Sequence, residues 1–457
     1  MRLLCLSNGH GEDAIALRIL QALQQLPNAP HIEALPIVGE GHAYTRAGIP
    51  LIGSVKAMPS GGFIYMDGKQ LARDIQGGLL QLTIAQLKAI RAWARESKGR
   101  ENSSKFKPQN LSPTPLILAV GDIVPLLFAW FSGVPYAFVG TAKSEYYIRD
   151  EAGWLPRESW WSDRFQRWTG CIYHPWERWL MSHPRCKAVF PRDRLTAENL
   201  RRFGVPAFDM GNPMMDGLEW NQKAERVGQQ ATGDGQRATG NEQPIDLLPQ
   251  PLSFTPISSP LTITLLPGSR PPEAYANWET ILLAVNGLIA QMKQPLILLA
   301  AIAPGLDIDL MHQTVKEFRW QRVTEDCYTV GLGERQAKLI LAQNRYAEFL
   351  HRADLAIAMA GTATEQFIGS GKPAIIIPGK GPQFTPAFAE AQTRLLGPSV
   401  TLIPRPEQVA NAIHSLLQNP DRLQIIAENG YRRMGKPGAA QRIARCLMEA
   451  TVSMSEF

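Results

Sequence analysis

Cysteine is scarce in this chain. There are five in 457 residues, and they are scattered, with no Cys-x-x-Cys pair and no histidine spacing typical of a zinc site. The pattern predicts no zinc site and favours reduced, buried thiols in a cytosolic protein. The positions are Cys5, Cys171, Cys186, Cys327 and Cys446.

Charged residues are also few, at 19% of the chain, whereas hydrophobic residues make up 45%. This balance is typical of a globular protein and excludes a disordered one. A length of 457 residues suits two domains. The net charge of +6 favours anionic partners such as nucleotides, nucleic acid or membrane surfaces, without choosing among them.

The N-terminal sequence MRLLCLSNGHGED lacks the pattern of a signal peptide, because its apolar run is short and acidic residues follow at once. One longer apolar run, residues 115–140, has the length of a membrane span. However, Asp122, Pro125, Gly133 and Pro135 stand where a strand, a short helix and a second strand need breaks. We therefore predict a buried β-α-β unit there, with a membrane span as the alternative.

Short apolar segments alternate with helical stretches along the chain, which is typical of parallel α/β sheets. Helices are predicted near 70–95 and 272–290. The predicted strands are RLLCLS (2–7), IEALPIV (32–38), PLILAV (115–120), YAFVG (136–140), KAVFP (187–191), AFDMG (207–211), TITLLP (262–267), PLILLAA (295–301), LAIAMA (355–360) and PAIIIP (373–378).

Two polar segments interrupt this alternation. Residues 97–114 look like a surface insertion, and residues 222–260, rich in Gly, Gln, Thr and Pro, like a flexible linker or insertion. We therefore predict an N-terminal domain over 1–221 and a C-terminal domain over 261–457, with the last helix able to pack back on the first domain. The predicted architecture is two doubly wound domains facing across a cleft, with ligands at the carboxyl ends of the strands.

The segment LLPGSRPPEAY (265–275) runs from a strand through a Gly-Ser-Arg turn into a helix. Such a turn presents backbone N–H groups and a helix N-terminus, which suits a diphosphate. Ser269 could donate a hydrogen bond, and Arg270 could pair with phosphate oxygens. Alternatively, Gly268 only makes the turn, Ser269 caps the helix and Arg270 is solvated.

A second turn of this kind lies in AMAGTATEQFI (358–368), after the next strand. Gly361, Thr362 and Thr364 open a helix, and Glu365 could accept hydrogen bonds from a ribose diol. The alternative is a capping box, since Thr362 and Glu365 have the Thr-x-x-Glu spacing.

A third turn, PGKGPQFTPAFAEAQ (378–392), follows the next strand and carries Lys380 and Gln383. Gln383 could reach a sugar or phosphate, whereas Lys380 is more readily explained as a solvated side chain. Because the three turns open at the same sheet edge, they are expected to converge on one ligand.

These motifs resemble those of a known enzyme family. LLPGSR with Glu273 three residues on, followed by AGTATEQ, is similar to the donor-site signatures of lipid-A-disaccharide synthase. Three more segments resemble other sequence segments of that family, outside its donor site. They are SNGHGEDAIALRI (7–19), IVGEGHAYTRAGIPLIG (37–53) and MGNPMMDGL (210–218). The resemblance covers most of the chain apart from 97–114 and 222–260.

The resemblance implies a GT-B fold, a UDP-sugar donor, no metal, no cofactor, and inversion at the anomeric carbon. It also implies that Arg270 binds the diphosphate, that Thr362 and Thr364 lie near it, and that Glu365 holds the ribose. The segments 7–19 and 210–218 place Gly9, Gly11, Glu12, Asp13 and Asn212 on the acceptor side.

An inverting transferase needs a base that takes the proton of the acceptor hydroxyl, and two residues are candidates. His10 resembles the histidine of a Gly-Gly-His turn in related transferases of peptidoglycan and galactolipid synthesis, and its usual pKa suits this role. Asp122 follows the strand PLILAV, where lipid-A-disaccharide synthase has an aspartate. The alternatives are that His10 only lines a turn and that Asp122 caps the next helix.

Residues 154–179 hold six of the eleven tryptophans and four arginines. Such a mixture favours contact with a membrane interface or a lipid acceptor, which predicts a cytoplasmic protein peripheral to the inner face of a membrane. An ordinary amphipathic segment is the alternative. Stacking on single-stranded nucleic acid is a further one, but no recognised nucleic-acid motif is present, so no nucleic-acid partner is predicted.

The sequence therefore predicts an inverting glycosyltransferase that moves sugar from a UDP-sugar to a lipid or amphiphilic acceptor. A UDP-sugar 2-epimerase of similar fold and a non-catalytic nucleotide-sugar-binding protein are the alternatives. The sugar, the acceptor and the oligomeric state are not set by these motifs.

Overall fold

The computed structural model describes residues 1–56, 78–102, 115–156, 160–218, 260–331 and 336–452. Within these ranges, side chains are described except for His10 and residues 98–102, 160–163 and 450–452. The start of the helix predicted near 70–95, most of the predicted insertion 97–114, and nearly all of the predicted linker 222–260 lie outside the described residues.

The chain forms two compact units. Unit 1 comprises Met1–Asp216 together with the chain from Gly435 onwards, and unit 2 comprises Gly217–Met434. The point at which the chain first passes from unit 1 to unit 2 therefore lies close to the predicted boundary at residue 221. The point at which it returns to unit 1 lies within the predicted domain 261–457, because the last helix belongs to unit 1.

Unit 1 is built on a parallel sheet with strand order β2-β1-β3-β4-β7. A short antiparallel pair, β5 with β6, lies outside this sheet. The strands are β1 (Arg2–Ser7), β2 (His31–Pro36), β3 (Pro115–Gly121), β4 (Tyr136–Gly140), β5 (Arg149–Asp150), β6 (Gly153–Trp154) and β7 (Cys186–Phe190). The helices of its first segment are α1 (His10–Gln24), α2 (His42–Arg46), α3 (Leu79–Asn102), α4 (Ile123–Phe131), α5 (Trp160–Thr169), α6 (Pro175–Met181) and α7 (Arg194–Arg201).

The inner strands β1, β3 and β4 of the parallel sheet are buried on both faces, as expected for a parallel sheet covered on each side by helices. Leu4 and Leu6 of β1 contribute to one buried cluster, which includes residues of α3 and α4. Leu3 and Cys5 contribute to a second cluster, which includes residues of α1 and of the last helix of the chain.

Unit 2 is built on an eight-stranded sheet with strand order β10-β11-β12-β9-β8-β13-β14-β15. The strands from β12 to β15 in this order run parallel, and β11 is antiparallel to both of its neighbours. The strands are β8 (Leu261–Leu266), β9 (Leu296–Ile302), β10 (Gln321–Thr324), β11 (Cys327–Val330), β12 (Ala337–Gln343), β13 (Leu355–Ala358), β14 (Ala374–Ile376) and β15 (Val400–Leu402).

Helices of unit 2 connect these strands, and one more helix ends the described chain in unit 1. They are α8 (Glu273–Gln291), α9 (Ile308–Glu317), α10 (Tyr346–Arg352), α11 (Thr362–Gly369), α12 (Pro386–Leu396), α13 (Val409–Leu417) and α14 (Pro420–Met434), followed by α15 (Ala439–Val452) in unit 1. Both units have the doubly wound α/β architecture predicted from the sequence.

The apolar run 115–140 forms the predicted β-α-β unit, since β3, α4 and β4 follow one another with Pro125 in the first turn of the helix. No helix within the described ranges has the length and apolar character needed to cross a membrane. All five cysteines are free thiols; three are buried, whereas Cys327 and Cys446 are half-buried.

Two local predictions are wrong. Residues 207–211 do not form a strand: only Ala207 bridges to Val189, after which the chain turns at Gly211, whose φ of 79° lies in the left-handed region. Residues 97–102 belong to helix α3 instead of a surface insertion. They continue a helix whose earlier apolar residues, including Ile90 and Trp93, are buried.

Candidate functional site

Three turns of unit 2 follow strands that are neighbours in the sheet. β8, β13 and β14 are adjacent and parallel, so the chain leaves all three at the same edge. The turns comprise residues 267–272, 359–361 and 377–385. The three turns therefore open at one sheet edge, as the sequence predicts, and their convergence on one ligand stays a prediction.

Buried amide side chains hold the first two turns together. Asn277 of α8 donates from Nδ2 to the carbonyl oxygens of Pro267 and Met359, at 3.0 and 3.4 Å. Gln392 of α12 donates from Nε2 to the carbonyl oxygens of Ala360 and Gly361, at 3.3 and 3.2 Å. Backbone at the ends of β8 and β13 is thus fixed by helices on either side.

The third turn is fixed by Glu273, the first residue of α8. Its Oε2 accepts the Gln383 N–H at 2.9 Å, and its Oε1 accepts the Phe384 N–H at 2.7 Å. A Cβ atom at Gly381 would collide with this carboxylate, so the turn requires glycine there. Glu273 belongs to the LLPGSR motif that resembles a donor-site signature, but its hydrogen bonds to the third turn were not predicted from the sequence. Its position in line with Asn277 on the otherwise apolar face of α8 was the available signal.

The Gly-Ser-Arg turn presents two polar side chains to solvent. Gly268 has a φ of 102°, a conformation that favours glycine, and a Cβ there would lie 3.3 Å from the Met359 carbonyl oxygen. Ser269 and Arg270 are exposed. Pro272, and not Ser269, precedes the first residue of α8, so the alternative in which Ser269 caps the helix is wrong.

The turn after β13 exposes only part of the predicted set. Gly361 is the cap residue of α11 and Thr362 is its first residue, so the predicted capping box does not form. Thr362 is exposed at the helix N-terminus, whereas Thr364 is buried and donates to the Ala360 carbonyl oxygen at 2.5 Å. The Thr364 hydroxyl is therefore bonded to the backbone at the end of β13, and the expectation that Thr364 lies near the diphosphate stays a prediction. Glu365 is buried in the first turn, and its N–H donates to Gly361.

The exposed groups at this edge have one chemical character. The first turn of an α-helix leaves N–H groups without partners inside the helix, and its dipole is positive there. Arg270 adds a permanent positive charge, and the hydroxyls of Ser269 and Thr362 add hydrogen-bond donors. Such a surface suits an anionic ligand with several oxygen atoms.

Unit 1 has a second polar edge, where β1, β3 and β4 end side by side. Glu12 lies in the first turn of α1, after β1. Thr141 follows β4 and donates from Oγ1 to Glu12 Oε1 at 3.5 Å. Burial, together with the nearby charge of Asp122, raises the pKa of Glu12 to about 7.

Asp122 caps α4, as the alternative interpretation predicted: its Oδ1 accepts the Val124 N–H at 2.9 Å. Burial raises the pKa of Asp122, and the Glu177 charge adds to this, while the Val124 hydrogen bond and Lys143 oppose it. Lys143 in turn donates from Nζ to both carboxylate oxygens of Glu177, at 2.8 and 2.6 Å. No motif in the sequence indicates that Lys143 and Glu177 lie at this edge.

A backbone hydrogen bond stabilises the glycine-flanked turn at the end of β1. Gly9 precedes α1 with a φ of 136°, and its carbonyl oxygen accepts the Asp13 N–H at 2.7 Å. Gly11 is exposed, with open space around it. The backbone of His10 begins α1, whereas its side chain lies outside the described atoms. His10 therefore stays a sequence-based candidate.

Two residues predicted on the acceptor side are buried. Asp13 accepts a hydrogen bond from Ser7 Oγ at 2.5 Å, and Ser7 pairs with the Tyr44 hydroxyl at 2.6 Å. Asn212 accepts the Met214 N–H at 3.0 Å at the start of a short 3₁₀ turn. Both side chains serve the local fold and are not presented to solvent.

The Trp-rich segment exposes several aromatic side chains. Trp168, Trp176 and Trp179 are 78%, 54% and 55% exposed, and Arg164 and Arg167 beside them are also exposed. Ring contacts connect α4, α5 and α6, namely Trp130 with Phe131 and Trp179, Phe165 with Trp168 and His174, and His174 with Trp176. We define the aromatic face as Phe131, Phe165, Trp168, Trp176 and Trp179.

Comparison with known proteins gives structural matches only. No protein-family model matches the chain, and no curated protein matches its sequence. A protein from Listeria monocytogenes assigned as a UDP-N-acetylglucosamine 2-epimerase has a TM-score of 0.52 and 13% identity, over 99% of this chain and 97% of that one. The S. aureus MnaA–UDP complex has a TM-score of 0.52 and 12% identity over the same shares, and Acinetobacter baumannii MurG has 0.50 and 14% over 98% and 99%.

The chain has the GT-B fold. These similarities extend over nearly the whole of each chain, so they include both Rossmann-like units. In this GT-B chain, unit 2 carries the edge suited to an anion, and unit 1 carries the edge with the paired acids Glu12 and Asp122.

Proposed function

We propose that this protein is an inverting glycosyltransferase that takes sugar from a UDP-sugar and passes it to a lipid or amphiphilic acceptor. The observation that carries the proposal is the edge of unit 2, where three turns are fixed by Glu273, Asn277 and Gln392. Ser269, Arg270 and Thr362 stand exposed there for the diphosphate. The resemblance of LLPGSR and AGTATEQ to lipid-A-disaccharide synthase supports the same role.

UDP as the nucleotide is supported by structural neighbours. The S. aureus MnaA structure contains UDP, and the Listeria monocytogenes protein is assigned to UDP-N-acetylglucosamine. In this proposal Arg270 pairs with the diphosphate, Glu365 accepts hydrogen bonds from the ribose, and Gln383 contacts the sugar. The transfer uses no metal and no cofactor.

A lipid acceptor is supported by the aromatic face of unit 1. Tryptophan and arginine are typical of surfaces that sit at the headgroup level of a membrane. The exposed Trp168, Trp176 and Trp179, with Arg164 and Arg167 beside them, fit that pattern. We therefore place the protein in the cytoplasm, peripheral to the inner face of a membrane.

Epimerisation of a UDP-sugar is the second candidate, since one structural neighbour is assigned as a UDP-N-acetylglucosamine 2-epimerase. An epimerase acts on a soluble substrate and has no use for an exposed aromatic face. Binding without turnover is the third candidate.

One incubation separates these three. The purified protein is given UDP-N-acetylglucosamine, UDP-glucose or UDP-galactose, with and without a bacterial lipid extract. Release of UDP only with the extract supports transfer, whereas formation of a UDP-sugar isomer without UDP release supports the epimerase. Thermal stabilisation by UDP without turnover supports a binding protein, because a ligand at 100 times its Kd adds roughly 2.7 kcal/mol.

A matched pair of variants ties the result to this edge. Arg270→Ala is expected to weaken UDP binding about 10–100-fold, since a charge-assisted contact contributes about 1.5–3 kcal/mol. Lys293→Ala removes an exposed positive charge before β9, at the opposite sheet edge, and is expected to leave UDP affinity unchanged. Equal affinities for the two variants would remove Arg270 from the nucleotide site.

A further inference from the structure

The acidic side chain best placed to exchange a proton in unit 1 belongs to neither of the two sequence-based candidates. Glu12 lies in the first turn of α1, at the carboxyl ends of β1 and β3. A Cβ built on Gly121, the last residue of β3, would lie 3.4 Å from Glu12 Cγ. Glu12 therefore lies beside the end of β3.

The charged side chains that face Glu12 disfavour its negative charge. Asp13 follows it in α1, and Asp122 faces it from the start of α4. Lys143 and Glu177 act on Asp122, but their charges offset each other in a close ion pair. Burial is the largest effect and the two aspartates add to it, while hydrogen bonds from the Glu12 backbone and from Thr141 oppose it, so the pKa of Glu12 is about 7. At neutral pH both of its protonation states are populated, as efficient acid–base catalysis requires.

The Glu12 side chain also has a smaller role in stabilising the fold than the side chains of Asp13 and Asp122. Asp122 Oδ1 is used in capping α4, and Asp13 is buried against Ser7. Glu12 is half-buried, and its hydrogen bond from Thr141 is long, at 3.5 Å. Its carboxylate can therefore meet a hydroxyl that approaches from solvent.

We propose that Glu12 is the general base of the transfer and that Asp122 is a positioning residue that acts through the charge it places beside Glu12. The proposal rests on the proposed glycosyltransferase function. As the acceptor oxygen forms its bond to the anomeric carbon, its proton passes to the Glu12 carboxylate. The bond between the anomeric carbon and UDP breaks, UDP leaves with the electron pair, and Glu12 returns the proton to solvent.

The test is a pH profile of kcat/KM for UDP release, measured on the full chain with the lipid extract. In the wild type, activity is expected to rise with pH through about 7, as Glu12 loses its proton. Asp122→Asn removes a neighbouring negative charge and is expected to move this limb to lower pH. Thr141→Val removes a donor to the carboxylate and is expected to move the limb to higher pH.

Glu12→Gln is expected to lower kcat about 10²–10⁴-fold with unchanged UDP affinity. Glu96→Gln, at an exposed glutamate of helix α3, is the matched control and is expected to keep wild-type kcat. UDP affinity and unfolding temperature, measured on every variant, separate loss of the base from loss of the fold.

Two results overturn the assignment of Glu12. One is a Glu12→Gln variant with kcat within a few-fold of wild type, and the other is His10→Ala abolishing the pH limb while Glu12→Gln keeps it. In both, the wild type still releases UDP, so the proposed function stands. A wild type that binds UDP-sugars but releases no UDP with any donor and extract overturns the function and the base together.

Discussion

Glu273 shows how a single carboxylate can fix a turn that lies far from it along the chain. Its partners, the N–H groups of Gln383 and Phe384, lie more than a hundred residues later in the sequence. Both hydrogen bonds are charge-assisted and short, and the side chain is buried. The turn after β14 therefore depends on the first residue of α8.

Glu273→Gln is expected to destabilise the protein by about 1–3 kcal/mol, because an amide NH₂ group replaces one of the two acceptors facing backbone N–H donors. UDP binding is expected to weaken as the turn loosens. Urea unfolding and UDP titration measure the two effects. Glu279→Gln, at an exposed position of the same helix, is the control and is expected to stay within ±0.5 kcal/mol of wild type.

Sequence patterns predicted which residues gather at the edge of unit 2 better than they predicted how each side chain is used. Arg270 and Thr362 are exposed as expected, because strand-turn-helix spacing sets which residues end a strand. The hydroxyl of Thr364 is instead used within the helix. The capping box failed because α11 begins at Thr362 itself, a shift of one residue that the Thr-x-x-Glu spacing does not reveal.

At the scale of elements, one acid binds the start of the last helix to unit 1, in addition to the apolar packing of Ile443 and Leu447. Asp216 Oδ1 accepts the N–H groups of Gly438 and Ala439, at 2.6 and 3.1 Å, and its Oδ2 accepts that of Ala440 at 2.7 Å. The carboxylate thus satisfies three donors at the start of α15. Asp216 is the last residue of the first segment of unit 1. It binds the start of the second segment, by which the chain returns to that unit.

Asp216→Ala is expected to cost about 1–3 kcal/mol and to speed amide hydrogen exchange in α15, since buried N–H groups lose their acceptor. Asp421→Ala, at an exposed position in the first turn of α14, is the matched control. Equal unfolding free energies and equal exchange in α15 for the two variants would contradict this role of Asp216.

Strands were predictable where a run of apolar residues in the sequence forms a buried strand in the structure. The strands β1, β3 and β9 are largely apolar on both faces, so they stand out as short continuous runs. The edge strand β10 has all four residues exposed, and neither it nor β11 forms an apolar run, so neither was predicted. β11 pairs with β12 and β10 pairs with β11, so both strands are set by their strand partners and not by local pattern.

At the scale of the whole molecule, the aromatic face predicts binding to a lipid surface. The protein is expected to sediment with vesicles of phosphatidylglycerol and phosphatidylcholine, and less so as salt screens the arginines. The double substitution Trp176→Ser and Trp179→Ser is expected to weaken binding at least about tenfold, since tenfold corresponds to 1.4 kcal/mol.

The control for the vesicle experiment lies in unit 2. Leu310 and Ile425 are exposed apolar residues of α9 and α14, and changing both to serine is expected to leave vesicle binding unchanged. Vesicle binding that survives the double tryptophan substitution, or that falls equally in the control, would remove the aromatic face from this role.

The return of the chain to unit 1 also has a consequence for synthesis on the ribosome. The core that holds Leu3 and Ile15 is completed by Ile443 and Leu447, which are translated after all of unit 2. At roughly 5–20 residues per second, the nascent first unit waits about 10–45 s for its last helix. During that interval the apolar surface that α15 will cover is open to chaperones, while unit 2, whose residues are contiguous, emerges complete.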